Sequence, residues 1–386
     1  MELKTYQYTQ NNGWNHIPDA SLDSDNTLLI LFGPSDTSKI SDIIVDLKEK
    51  YSHSLILGCS TSGEIFAESV FDDSLSLAVI KFSTTMIRQA TVNIHTEGNS
   101  TFAGRSMAKK LSATAPNEPA LSAVFVLSDG LKVNGTSLIN GLRQELGDNI
   151  VITGGLSGDG ERFEKTWVLA DFEVLSDSIT AIGFYGKNIR FAHGSRGGWD
   201  ILGVEREVTR SKKNVLYELD GQPALELYKK YLGERAKGLP ATGLLFPLAI
   251  LNDEDSDVST VRTILAVDEE HKSITFAGDI PQGKHVQLMS ANFDRLIDGA
   301  TDAAESISIN PCFDTQALSI AISCVGRRLV LGQRVEEELE AILDVLGEKI
   351  QQIGFYSYGE ISPLSSGRCE LHNQTMTLTL IGEADA

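Results

Sequence analysis

The residues best equipped for chemistry crowd one stretch, 353–375, which reads IGFYSYGEISPLSSGRCELHNQT. It carries two phenols (Tyr356 and Tyr358), a carboxylate (Glu360), an imidazole (His372) and an amide (Asn373). Phenols and imidazoles both donate and accept hydrogen bonds and a carboxylate accepts them, so this set suits a small polar ligand. Glu360 and His372 also suggest an acid/base pair, but such a pair works beside a nucleophile or a cofactor motif. Neither is found. Gly58-Cys59-Ser60-Thr61-Ser62 breaks the G-x-S-x-G nucleophile elbow at Ser62. The run GGLSGDG at 154–160 misses the G-x-G-x-x-G spacing and leads into a strand-like aromatic segment, 163–172, where a phosphate site needs a helix. No enzyme is expected.

The seven histidines form no HxH or HExxH pair. A lone histidine near a strand is usually a hydrogen-bonded structural residue. Two have more to offer: His372 for its company, and His193 in RFAHGSRGGW, which ends an apolar strand beside Gly197, Gly198 and Trp199, where small residues and an aromatic leave room for a flat ligand. The cysteines Cys59, Cys312, Cys324 and Cys369 are far apart, with no CxxC, and read as reduced thiols.

Composition narrows the partners. With 33 Lys+Arg against 53 Asp+Glu the net charge is −20, which repels phosphate backbones and anionic headgroups, so no nucleic acid is expected. No stretch approaches the ~20 apolar residues of a membrane span, and the start, MELKTYQYTQNNGWN, lacks an apolar signal core. The expectation is a cytoplasmic protein without membrane insertion.

These residues must be positioned by a repeated element. LGCSTSGEI at 57–65 copies the first half of the chemical stretch, with Gly58, Gly63, Glu64 and Ile65 matching Gly354, Gly359, Glu360 and Ile361. Each copy follows the same order: a buried strand (26–32, 123–127, from 317), a helix with one apolar stripe, a second strand, a Gly-rich turn and a further strand. GGLSGDG is the middle copy, with Gly158-Asp159 in place of Gly-Glu. The glutamates read as turn carboxylates that accept backbone amide hydrogens. After the last turn, 370–381 reads as one strand. The fold expected is mixed α/β (α+β): repeated strand-helix-strand-strand units forming largely antiparallel sheets with helices packed on one face. Two domains, 26–220 and 221–386, meet near the Asp220-Gly221 turn, and 253–257 (DEDSD) reads as an acidic loop.

GCSTSGEI, GGLSGDG, ELDGQPALELY, IPQG, IGFYSYGEI and HNQT occur in this order over residues 26–382, and in this the chain resembles the FIST family (F-box and intracellular signal transduction). The resemblance implies a FIST N-like domain followed by a FIST C-like domain, and ligand sensing without catalysis. It is similar to the stand-alone bacterial members that sense nitric oxide through haem and regulate a partner histidine kinase in trans. That class implies haem as cofactor, with His193 or His372 as the alternative axial ligands. The other expectation is a sensor of a small polar molecule such as an amino acid, bound by Tyr356, Tyr358, Glu360, His372 and Asn373. In either case the C-terminal GEI turn is expected to line the site and the N-terminal one, flanked by small residues, to serve the fold.

Overall fold

The computed structural model describes residues 1–115, 117–251, 260–308, 316–364 and 367–384; the acidic run 253–257 and Cys312 lie outside the described residues. Three units follow one another. The first contains β1 (Glu2–Thr9), β2 (Gly13–Trp14), β3 (Thr27–Gly33), α1 (Ser41–Lys50), β4 (Leu55–Ser60), the hairpin β5 (Glu64–Phe66) and β6 (Ser69–Phe71), and β7 (Ser74–Lys81). The second contains β8 (Met86–Asn93), α2 (Ile94–Glu97), α3 (Ser100–Ser112), β9 (Leu121–Ser128), α4 (Gly135–Leu146), β10 (Val151–Leu156), the hairpin β11 (Val168–Ala170) and β12 (Glu173–Leu175), and β13 (Ser178–Tyr185).

The third unit opens with β14 (Ile189–Arg196) and is then interrupted. The insertion comprises β15 (Trp199–Lys212), β16 (Val215–Leu219), β17 (Gln222–Pro223), α5 (Ala224–Leu232), β18 (Leu248–Ile250), β19 (Thr260–Arg262), β20 (Ile264–Asp268), β21 (Ser273–Phe276) and β22 (His285–Ala291). The unit resumes with α6 (Phe293–Ser308), β23 (Ala317–Cys324), α7 (Val325–Leu331), α8 (Glu337–Leu346), β24 (Ile350–Ser357), the hairpin β25 (Gly359–Pro363) and β26 (Cys369–His372), and β27 (Met376–Glu383). The Asp220-Gly221 turn joins β16 to β17 inside the insertion.

The units share one sheet order: β12-β11-β4-β3-β7-β1-β2, β26-β25-β10-β9-β13-β8 and β6-β5-β24-β23-β27-β14. Only the central pairs β3/β4, β9/β10 and β23/β24 are parallel, each linked by a crossover helix, and the other neighbours are antiparallel. Each sheet ends in a hairpin borrowed from another unit. β5 of the first unit pairs with β24 of the third, β25 of the third with β10 of the second, and β11 of the second with β4 of the first. The expected strand 370–381 is corrected here: it is two strands in two sheets, because Gln374 adopts φ +64° and turns the chain from β26 into β27.

Strands such as TLLILFG are buried throughout because both faces are covered. Their inner faces meet in a single core drawn from all three sheets, including Ile30, Phe32, Phe125, Phe184, Ile322 and Phe355. Each outer face carries its unit's helices: α1 through Ile43, Ile44 and Leu47; α3 and α4 through Met107, Leu138 and Leu142; α6 and α8 through Ala300, Leu339 and Ile342. Helix α4 starts under an Asn134 cap, whose side chain accepts from Ser137 N, and stops at Gly147 with φ +75°.

The glycine repeated at the same place in each unit has one physical reason. A Cβ on Gly58, Gly154 or Gly354 would collide with the carbonyl oxygen of Leu31, Val126 or Ala321 on the neighbouring parallel strand. Gly354→Ala should therefore destabilise the fold by about 1–3 kcal/mol through overpacking. The check is the urea midpoint at unchanged slope; an unaltered midpoint would show that the strands separate without penalty.

Candidate functional site

At the carboxyl ends of β4, β10 and β24 the chain leaves its own sheet, and the three turns meet. Their backbones close a ring: Ser62 N–H donates to Tyr356 O at 2.8 Å, Gly158 N–H to Ser60 O at 3.0 Å and Tyr358 N–H to Leu156 O at 3.2 Å. Ser62, Gly158 and Tyr358 are thus equivalent. Asp159 then stands where Gly63 and Gly359 stand, one place before Glu64 and Glu360, which corrects the expected match of Gly-Asp to Gly-Glu. Instead of bracing a turn, Asp159 accepts from the N–H groups of Phe163, Glu164 and Lys165, each at 2.9 Å, and folds the longer loop that the second unit carries before β11.

The two glutamates make the same bonds. Glu64 accepts from the Thr61 hydroxyl and from Ser74 N–H and Oγ, both at 3.0 Å. Glu360 accepts from the Ser357 hydroxyl at 2.6 Å and from Thr375 N–H and Oγ1 at 3.2 and 2.9 Å. In both units the carboxylate ties the crossing turn to the start of the returning strand, a turn carboxylate that also collects hydroxyls. Both are buried, and burial pushes Glu64 up to about 7 and Glu360 up to about 8.

The aromatic neighbours diverge. Tyr356 is fully buried toward α8 and donates to Glu338 at 2.8 Å. Glu338 also accepts from Ser323 at 3.0 Å and forms a wholly buried ion pair with Arg327 at 2.7 Å. Arg327 donates onward to the carbonyls of Gly197 and Leu296, which fastens both ends of the insertion to this unit. Tyr358 points to the second unit, stacks on Phe163 at 4.8 Å and donates to Asp159 and to Gly160 O. Asn373 donates to Tyr358 O at 3.3 Å and accepts from Thr263 N–H at 3.4 Å.

Glu360 and His372 lie opposite each other in the β25–β26 register, yet their bonds go to different partners. His372 Nε2 lies 2.9 Å from Ser362 O, and burial holds this imidazole down to about 4. His193 sits on β14 opposite Thr379 of β27, and β14 passes against β25. It lies within electrostatic reach of His372, burial lowers its pKa as well, and its ring makes no hydrogen bond among the described residues. The structure therefore brings His193 and His372 together and leaves Tyr356, Tyr358 and Asn373 in separate packing. Two further groups join the histidines: Thr379 Oγ1 and Ser362 Oγ are buried without a hydrogen-bond partner. Nothing in the sequence singled these out, since a threonine in TMTLTLI looks like any strand threonine until its facing strand is known.

Among the described residues no group of three or more His, Cys, Asp or Glu side chains is arranged to hold a metal ion. Cys59, Cys324 and Cys369 are buried thiols, and burial raises the pKa of each.

The glutamate pair makes stability depend on pH. Unfolded, these carboxyls titrate near 4.5; folded, near 7 and 8, so the folded chain keeps protons that the unfolded chain has released. Their contribution is fully present below pH 4.5 and is lost as pH rises to 8. The melting temperature should therefore carry a downward term between pH 5 and 8 that Glu64→Gln and Glu360→Gln each reduce. A slope left unchanged in both variants would contradict buried, protonated carboxyls.

Residues 27–222 match the FIST N domain and residues 224–363 the FIST C domain. An uncharacterized protein of Methanocaldococcus jannaschii, MJ1623, is 24% identical over 370 residues, covering 86% of this chain and 69% of its own length. Among solved structures, cyanuric acid hydrolase from A. caulinodans aligns over 100% of this chain and 99% of its own at 10% identity, with a TM-score of 0.36, too low to bear on function. No helix among the described residues is long and apolar enough to cross a membrane. The two domain matches, adjoining at residues 222 and 224 and together spanning most of the chain, show that it belongs to the FIST family, whose domains are signal-transduction sensors that bind small ligands.

Proposed function

We propose that the protein senses a small polar molecule held between the inner face of β14 and β27 and the crossing hairpin β25–β26. One observation carries this reading: polar groups without partners gather there. Buried polar atoms are almost always hydrogen-bonded, and a cluster that is not calls for a ligand or ordered water. Thr379 Oγ1, Ser362 Oγ and the His193 ring supply donors and acceptors, and His372, neutral at pH 7, faces them. The Glu360 brace holds the hairpin that forms one wall. A ligand there contacts strands from two sheets at once, so occupancy is coupled to how the units sit on one another. The output is read by a protein partner in trans, for which a histidine kinase is the expected class.

Haem with nitric oxide as the sensed gas is the second reading, and His193 favours it: a neutral imidazole with no hydrogen bond among the described residues is free to bind iron. His372 fits an axial role less well, because its Nε2 already faces a carbonyl. If haem binds, it supplies the diatomic-gas ligation, and this chain's part is to present His193 from a rigid strand.

A thermal-shift screen against amino acids and other small polar molecules tests the first reading. A specific ligand at about 100 Kd should add roughly 2.7 kcal/mol of apparent stability. His193→Phe and Thr379→Val should abolish the shift while leaving the unliganded melting temperature nearly unchanged. Absence of any hit, together with micromolar haem uptake and a Soret band that moves with nitric oxide and is lost in His193→Phe, would transfer the site to the second reading.

A further inference from the structure

One buried charge lies outside the packing described so far, that of Arg262. This arginine closes β19 in the insertion and is only 5% exposed. Among the described residues its guanidinium donates only to carbonyl oxygens: Nε to Asp279 O at 3.1 Å, and Nη1 to Val261 O and Leu371 O, each at 3.1 Å. The Nη2 amine makes no hydrogen bond among the described residues. Two carboxylates lie within electrostatic reach, Asp279 and Glu370, but neither bonds to it. Asp279 accepts instead from the Asn134 side chain at 3.0 Å, and Glu370 pairs with Arg368 at 3.4 Å.

A buried cation without a bonded counter-charge is costly, and natural proteins pair such groups. Arg327 shows how this chain does it, with Glu338 in direct contact. Among the described residues no carboxylate bonds to Arg262. It does have His372 for a neighbour, close enough for its charge to bear on that imidazole, and Leu371, whose carbonyl it holds, precedes His372 in β26. Carbonyls take Nε–H and both N–H groups of Nη1, and the two N–H groups of Nη2 remain as donors. Charged donors of this kind bind an anionic oxygen more strongly than a neutral one.

We infer that Arg262 is the anion-recognising residue of the ligand site, and that the sensed molecule carries a carboxylate or comparably compact oxyanion placed between the Arg262 Nη2 amine and His372. This rests on the polar-ligand reading above. It adds the chemical class and brings the insertion into the site, since Arg262 belongs to the insertion whereas His193 and His372 belong to the third unit.

The experiment compares acetate with its neutral isostere acetamide on the full chain, followed by the His372 ring resonances in NMR titrations at pH 7. Acetate should bind and move the His372 ring resonances, and acetamide should do neither. Arg262→Gln should weaken acetate by about tenfold or more, with Arg262→Lys intermediate because it keeps the charge but loses the planar guanidinium that the carbonyls hold in place. Should Arg262→Gln fail to fold, the acetate–acetamide difference in the wild-type chain decides alone. Equal binding of the two, or of acetate to Arg262→Gln, overturns the anion assignment and leaves the polar site standing. If the neutral molecules of the wider screen also leave the His193 and His372 signals unmoved, the site itself fails.

Discussion

A strand edge cannot stay unpaired inside a protein, and each of the three central sheets has one that its own unit does not cover. The outer edges of β4, β10 and β24 are completed by β11, β25 and β5, each sent from another unit. This cyclic exchange explains why the units are inseparable. It also explains where the chemistry-bearing residues sit, because the crossing hairpins of the first and third units begin at the turns in which the Gly-Glu motifs occur. The ring of three backbone hydrogen bonds is the point at which the exchange closes.

Local features serve that crossing. The glycine before each turn lets parallel strands approach closer than a Cβ permits, and the buried glutamates hold the turn against the returning strand. Keeping a carboxyl so deep works because three donors meet it and because burial favours its neutral form. The middle unit solves the same problem without a glutamate at this position. Its loop is longer, and Asp159 organises that loop and receives Tyr358 from the third unit.

The insertion is bound to this frame by charge. Arg327 and Glu338 form an ion pair with no solvent contact, and the same guanidinium reaches carbonyls at Gly197 and Leu296, where the insertion leaves and rejoins the third unit. Buried pairs of this kind add little net stability but penalise any arrangement that separates them. They hold the insertion in one place against the third unit, and with it Arg262 beside the hairpin that carries His372.

Much of this was legible in the residues alone. Period-two and period-3.6 patterns predicted helices on one face of largely antiparallel sheets, and the repeated motifs disclosed the units, because burial pattern and turn chemistry are local properties. The family followed from the order of those motifs. What the residues did not reveal was pairing. Hairpin exchange, the one-residue offset of Asp159 and the break of 370–381 into two sheets depend on which strand lies alongside, and no local signal carries that. For the same reason the chemical stretch did not assemble as one site: the chain crosses from the sheet of β24 to that of β25 between the two tyrosines, so they enter different cores, Tyr356 toward α8 and Tyr358 toward the second unit. Only the tertiary structure placed His193 near His372 across the inner face of a sheet, and only burial made an ordinary-looking arginine in TVRTI a charge in need of a partner.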